Sequence, residues 1–295
     1  MIDFDWYQGT VRGVTSEEFV ASRLVRGAGP LVLSEAAGGY NRPYSLRGTL
    51  DHGSIGVYYG SNLDVHVVGT SGLAPHTARV LRSEFPEHTV SRVDVAYDVD
   101  EPDSFERLYK LTYLLARQKR RGPRGGVVGT ELAGDWLDAV GGRTLYAGGR
   151  SSRLRVRVYE KGKEQEAKHP DRQFSHGWTR VEWQIRPDSA GKRLAATLEP
   201  LQLAAWSAFG SDLVTAVTAI GMTPQAPQRV PGTDPEYWLG RQYSKVLREW
   251  STLPPAELQA KVLAVIELAE STPNPFTESA RAEHVPSAGL VPHWG

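Results

Sequence analysis

"RLRVRVYEKGKE", residues 153–164, is the stretch on which the reading of this chain turns. Taken as a β-strand, its successive side chains point to opposite faces. Arg153, Arg155, Arg157, Tyr159 and Lys161 then share one face, and Leu154, Val156 and Val158 share the other. The aliphatic face can bury itself in a core. The other sets a phenol among four cations, which is unusual company for a residue that normally packs.

Two more segments show the same design. "SRVDVAYDVD" (91–100) places Val93, Val95, Tyr97 and Val99 on one face and Arg92, Asp94, Ala96 and Asp98 on the other. "TRVEWQIRP" (179–187) offers Arg180, Glu182, Gln184 and Arg186 on its polar face and stops at Pro187. Both contain Ser/Thr-Arg-Val-acid, which suggests an internal duplication. Upstream, "SIGVYYG" and "DVHVVG" read as a hairpin turning through Ser61 and Asn62. "RTLYAGG" and "RLRVRVYEK" form a second strand pair across "GGRSS".

Helical spacing predicts helices over "APHTARVLRSEF", from Ser104 to Arg121, and over about 192–220, 235–250 and 255–270. Asp234 would cap the fourth, with Pro235 in its first turn. "HPDRQFSHG" and "APQRVPGTDP" read as loop and linker, and 271–295 as a mobile tail. The expected class is α+β, with a mainly antiparallel sheet, helices on one face and a helical C-terminal part. A domain over 1–250 is expected, made of related halves 1–125 and 126–250, followed by a helix and tail over 251–295.

The chain has 295 residues, 40% hydrophobic and 23% charged, an ordinary globular balance. It has no cysteine, which excludes disulfides, thiol nucleophiles and Cys-type zinc sites. The acidic start "MIDFDWYQGT" and the absence of a long apolar run predict a cytoplasmic protein without membrane contact. Net charge is zero, 34 bases against 34 acids, but the signs are segregated. Residues 143–163 carry seven bases and one acid, Glu160, while "RQKRRGPR" (117–124) adds five bases and no acid. A neutral total therefore still permits a local phosphate-binding surface.

If the three strands are neighbours, carboxylates, a phenol and guanidinium groups converge. Carboxylate oxygens suit Mg²⁺ or Mn²⁺, arginine forks match phosphate, and a phenol near pKa 10 needs a cation to act as a nucleophile. The competing reading is a solvated sheet face whose Arg–Glu pairs serve solubility. Spacing alone leaves both open. There is no Walker A run, GxGxxG or HExxH, and no His-X-His pair.

The blocks "SRVDVAYDVD", "GRTLYAGGRSSRLRVRVYEKGKE" and "WTRVEWQIRP", in that order, resemble the replication initiation factor family (Rep-trans) of rolling-circle plasmids, filamentous phages and related mobile-element relaxases. The similarity runs over roughly residues 3–250. It implies sequence-specific, metal-dependent nicking of single-stranded or hairpin origin DNA through a 5′-phosphotyrosine, leaving a 3′-hydroxyl primer. It implies Tyr159 as nucleophile assisted by Lys161, and Asp94, Glu182 and Asp98 as ligands of Mg²⁺ or Mn²⁺. DNA contacts would come from Arg153, Arg155, Arg157, Arg180, Arg117, Lys119, Arg120 and Arg121. A homodimer working with a host helicase and polymerase is the expected assembly. A relaxase with the same chemistry, or a non-catalytic DNA-binding regulator of the same fold, are the alternatives.

Overall fold

The alternation Val93, Val95, Tyr97, Val99 becomes the middle of a sheet, and all four side chains are buried. The structure is a computed structural model that describes residues 2–13, 16–26, 31–35, 42–48, 53–59, 64–118, 126–138, 141–225 and 244–271. In chain order the elements begin with β1 (Ile2–Val11), α1 (Glu17–Val25), β2 (Leu31–Glu35), β3 (Arg42–Gly48), β4 (Ser54–Tyr59), β5 (Val65–Thr70) and α2 (Ala74–Glu84). Then come β6 (Thr89–Asp100), α3 (Ser104–Arg117), β7 (Thr130–Gly134), β8 (Arg143–Ala147), β9 (Leu154–Glu160), α4 (Lys161–Lys168) and β10 (Trp178–Ile185). Helices α5 (Gly191–Thr197), α6 (Pro200–Ala204) and α7 (Ala208–Ala219) follow. The chain divides into two compact units, 1–231 and 232–295. The second contains α8 (Ser244–Trp250) and α9 (Pro255–Ser271).

One ten-stranded sheet runs β2-β3-β4-β5-β1-β6-β10-β9-β8-β7, and every ladder among the described residues is antiparallel. The expected class is therefore present and the strands of both expected hairpins pair, while Ser61 and Asn62 of the first turn lie outside the described residues. The echoing strands β6 and β10 lie side by side, with Val95 opposite Trp183. Outward from them the sequence halves differ, because β1 sits between β5 and β6 whereas β9 lies directly against β10.

Helices α2, α3 and α7 pack against the apolar face, and close approach there selects small residues. A Cβ on Gly69 would meet the Thr77 hydroxyl of α2. One on Gly210 of α7 would lie 3.0 Å from a Leu154 methyl of β9. At the β8–β9 turn Gly148 adopts φ +99, a left-handed conformation natural to glycine. Arg143 on the same face as Leu145 lies 4.5 Å from the Phe105 ring of α3, which places α3 there too.

Three expectations change. Helix α3 ends at Arg117, and Lys119, Arg120 and Arg121 lie outside the described residues, as do the linker, Asp234, Pro235 and the tail. The single helix expected over 192–220 is three, because Pro200 lacks the N–H needed to continue a helix and instead opens α6 behind a Glu199–Gln202 capping box. Strand β9 stops at Glu160, so Lys161 is the first residue of α4 and leaves the strand alternation. No helix among the described residues is long and apolar enough to cross a membrane.

Candidate functional site

Register decides which polar side chains meet, since residues directly opposite on neighbouring strands share a face. One row crosses from Ala96 (β6) through Glu182 (β10) and Arg157 (β9) to Tyr146 (β8) and Glu131 (β7). The next runs Asp98, Arg180, Tyr159, Thr144. On the other side Asp94 faces Gln184. The three strands picked out from the sequence are thus consecutive, and their carboxylates, guanidinium groups and phenol do converge.

The two rows differ in burial. In the second, Arg180 gives two hydrogen bonds to Asp98 (2.6 and 2.8 Å) and one to Asp5 (3.1 Å), with both Arg180 and Asp98 buried. Tyr159 beside them is only 2% exposed, with the Arg157 guanidinium 3.6 Å from its ring centroid. Burial pushes its phenol well above the usual tyrosine value; Arg180 and Arg157 oppose that, while Glu182 and Glu164 add to it. The neighbouring cations therefore do not make Tyr159 easy to ionise, contrary to the sequence expectation: desolvation outweighs them.

The first row is buried at Ala96 and Glu182 and opens toward solvent at Arg157, Tyr146 and Glu131. Tyr146 is half-buried, and the Arg155 guanidinium lies 3.8 Å from its ring centroid. Tyr146 belongs to the strand before the basic one, and pairing of β8 with β9 puts it opposite Arg157, on the same face as Tyr159. The Nε atoms of Arg155 and Arg157 are buried without a hydrogen-bond partner. Such groups are costly unless a ligand or water satisfies them.

Of the acids, Asp94 and Glu182 are buried close to each other. Burial first, then the charges of Glu182 and Asp5, push the Asp94 carboxyl up, although Arg92 donates to both its oxygens (2.9 and 2.5 Å). Two neighbouring buried carboxylates suit a divalent cation, and Mg²⁺ is commonly held by one or two carboxylates plus substrate phosphates. Asp98 lies one row further along, where Arg180 donates to both of its oxygens as Arg92 does to those of Asp94. Among the described residues no three His, Asp or Glu side chains are grouped to hold a metal ion.

The basic window looks different once folded. Arg143 and Lys163 pair with Glu160 (3.0 Å each), Arg155 and Arg150 with Glu131 (3.1 and 3.7 Å), and Arg153 with Asp188 (2.7 Å). Arg157 lies 3.8 Å from Glu164 and 3.9 Å from Glu182, and Lys161 sits 2.6 Å from Glu164. All seven cations have an acid, mostly from another strand or loop. Arg150 and Arg153 keep 83% and 60% of their side chains exposed and are the most open cations of the window. Arg117 ends α3 on the helical layer, away from this face.

Sequence reasoning gave no weight to Glu164, one residue past the basic window. Burial would raise its pKa, but Lys161 and Lys168 outweigh that and bring it down to about 2. A carboxylate depressed in this way stabilises the fold above its unfolded pKa of 4.5, and the contribution is lost as pH falls toward 2. Glu164→Gln is expected to cost about 2–3 kcal/mol at pH 7. In urea unfolding the gap from wild type should shrink by pH 3, and an equal gap at both values would remove Glu164 as the anchor of this cation cluster.

Residues 88–206 match the family described as "Replication initiation factor". That span contains the three blocks from which the same family was read. Among solved structures, a rolling circle replication initiator protein from Geobacillus stearothermophilus is 21% identical, covering 80% of this chain and 90% of its own, at a TM-score of 0.45. DynU16, a protein of the dynemicin biosynthetic locus, is 12% identical over 72% of this chain and 98% of its own, at a TM-score of 0.23. No curated protein matches.

Proposed function

We propose that this protein initiates rolling-circle replication by cutting one strand of origin DNA through a tyrosine. The observation that carries this reading is the row Glu182, Arg157, Tyr146 on three adjacent strands, inside the segment that matches the replication initiation factor family. Phenol oxygen attacks phosphorus in line, a tyrosine–phosphate bond forms and the bond to the 3′-oxygen breaks. The phenol loses its proton and the departing 3′-oxygen gains one, leaving a 5′-phosphotyrosine and a 3′-hydroxyl.

Tyr146 is the phenol we assign to the attack, because a phosphate can reach a half-buried ring but not one sealed beneath Arg157. Tyr159, implied by the family resemblance, is the second candidate. Arg157 and Arg155 carry unsatisfied Nε–H groups beside Tyr146 and would bind the phosphate oxygens, most strongly as charge builds on the phosphorane. Asp94 and Glu182 are the residues that would hold Mg²⁺ or Mn²⁺, which supplies Lewis-acid polarisation of the phosphoryl group. Lys161 buttresses Glu164 beneath this row rather than facing DNA. Origin DNA is the substrate in this reading; a host helicase and polymerase would extend the 3′-hydroxyl, and a relaxase would share every step up to the nick.

A regulator that binds without cutting is favoured by one observation, the burial of Tyr159, the phenol that the family resemblance implies as nucleophile. Single-stranded oligonucleotides tiled across the protein's own replicon, incubated with Mn²⁺ or Mg²⁺, separate the two. The expected result is one cut strand whose 5′ end stays on the protein. Salt-sensitive binding with no cut at any sequence would establish the regulator instead.

A further inference from the structure

Beside the Asp94–Glu182 pair the sheet carries an aromatic residue that the nicking chemistry does not use. Trp6 of β1 lies directly opposite Asp94 of β6, so its indole stands on the same face. It is half-buried, unlike Trp178 and Trp183, which are fully buried. The Arg92 guanidinium covers it, 4.6 Å from the ring centroid, while the same Arg92 grips Asp94. Its indole N–H donates to Gln8 Oε1 at 3.1 Å, which leaves the ring edge without an unmet polar group and fixes the ring's tilt. A large apolar ring held rigidly on a polar face, partly open to solvent, gains little from folding alone.

We infer that Trp6, braced by Arg92 and Gln8, stacks a nucleobase of the single strand whose backbone passes over Asp94 and Glu182. Every base has a π-face, and an aromatic platform beside a cationic groove is how single strands are held without sequence readout. Bracing matters here because a ring already fixed by two neighbours loses little freedom when the base arrives. Arg92 serves twice, shielding one side of the indole and holding Asp94, so the stacked base and the carboxylate pair are set at a constant separation. The inference rests on the reading that this face receives single-stranded DNA.

The test uses the full-length protein, fluorescein-labelled mixed-sequence 20-mer single strands, and the same 20-mers carrying 5-iodouracil at one position each. Trp6→Ala should weaken binding by about tenfold to a hundredfold, with Trp6→Phe in between and thermal melting close to wild type. Irradiation of the iodouracil strands should give an adduct on the β1 peptide containing Trp6, a readout that a packing role would not produce. Equal affinity in Trp6→Ala, or adducts confined to other peptides, would overturn the stacking site. Trp6-dependent binding in a protein that cuts no strand would leave this site standing and remove the nicking function. No single-strand binding by wild type would remove both.

Discussion

Tyr146→Phe is expected to leave no covalent protein–DNA adduct on a strand the wild type cuts, a loss of about 10⁴-fold or more in nicking rate. Deleting the hydroxyl proposed to attack phosphorus removes that nucleophile while the ring still supports Arg155, so single-strand affinity and melting temperature should stay near wild type. Tyr159→Phe is the paired measurement. Its ring is sealed against Arg157 in the row that Arg180 and Asp98 close, so the adduct should persist, with at most a modest change in rate. Mass mapping of the modified peptide distinguishes the two directly. An adduct on Tyr159, or one that survives in Tyr146→Phe, would return the role to the phenol implied by the family resemblance and require the Tyr159 row to open when DNA binds.

Asp94→Asn should abolish metal-dependent nicking and with it the thermal stabilisation expected from Mn²⁺ in the wild type. Its effect on the metal-free fold has the opposite sign. The Asp94 carboxyl is raised above its ordinary 3.8 by burial and by Glu182 and Asp5. The folded state therefore holds a proton that the unfolded chain gives up, and stability falls as pH climbs from 3.8 through the raised folded value. Asparagine carries no such cost. In EDTA at pH 8, Asp94→Asn should melt no lower than wild type, and the advantage should fade toward pH 4. Calorimetry with equal Mn²⁺ affinity in wild type and Asp94→Asn would refute the assignment, and so would a variant that melts far below wild type in EDTA at every pH.

The strands were legible because their signal is local. Val93, Val95 and Val99, or Val156 and Val158, announce a buried face through period-two spacing, and the structure buries each of them. The interruption at Pro200 was just as local but went unread, since helical spacing on either side continues across it. The end of β9 was harder. Nothing in "YEKGK" marks Lys161 as a helix start, and the turn is stabilised by Glu164, three residues further on, holding its ammonium at 2.6 Å.

The site divides along the same line. The sequence by itself determined which residues point together along each strand: Asp94 with Asp98, Glu182 with Arg180, Arg157 with Tyr159. That follows from pleat geometry, which needs no partner. Only the tertiary structure decided which of them remain available. Asp98 pairs with an arginine 82 positions away, Tyr159 is buried, and Tyr146 is brought up beside Arg157. A charge count in a sequence window sees only neighbours along the chain. Ion pairing, desolvation and access depend on neighbours across the sheet, and in an antiparallel sheet with long connections those come from anywhere in the sequence.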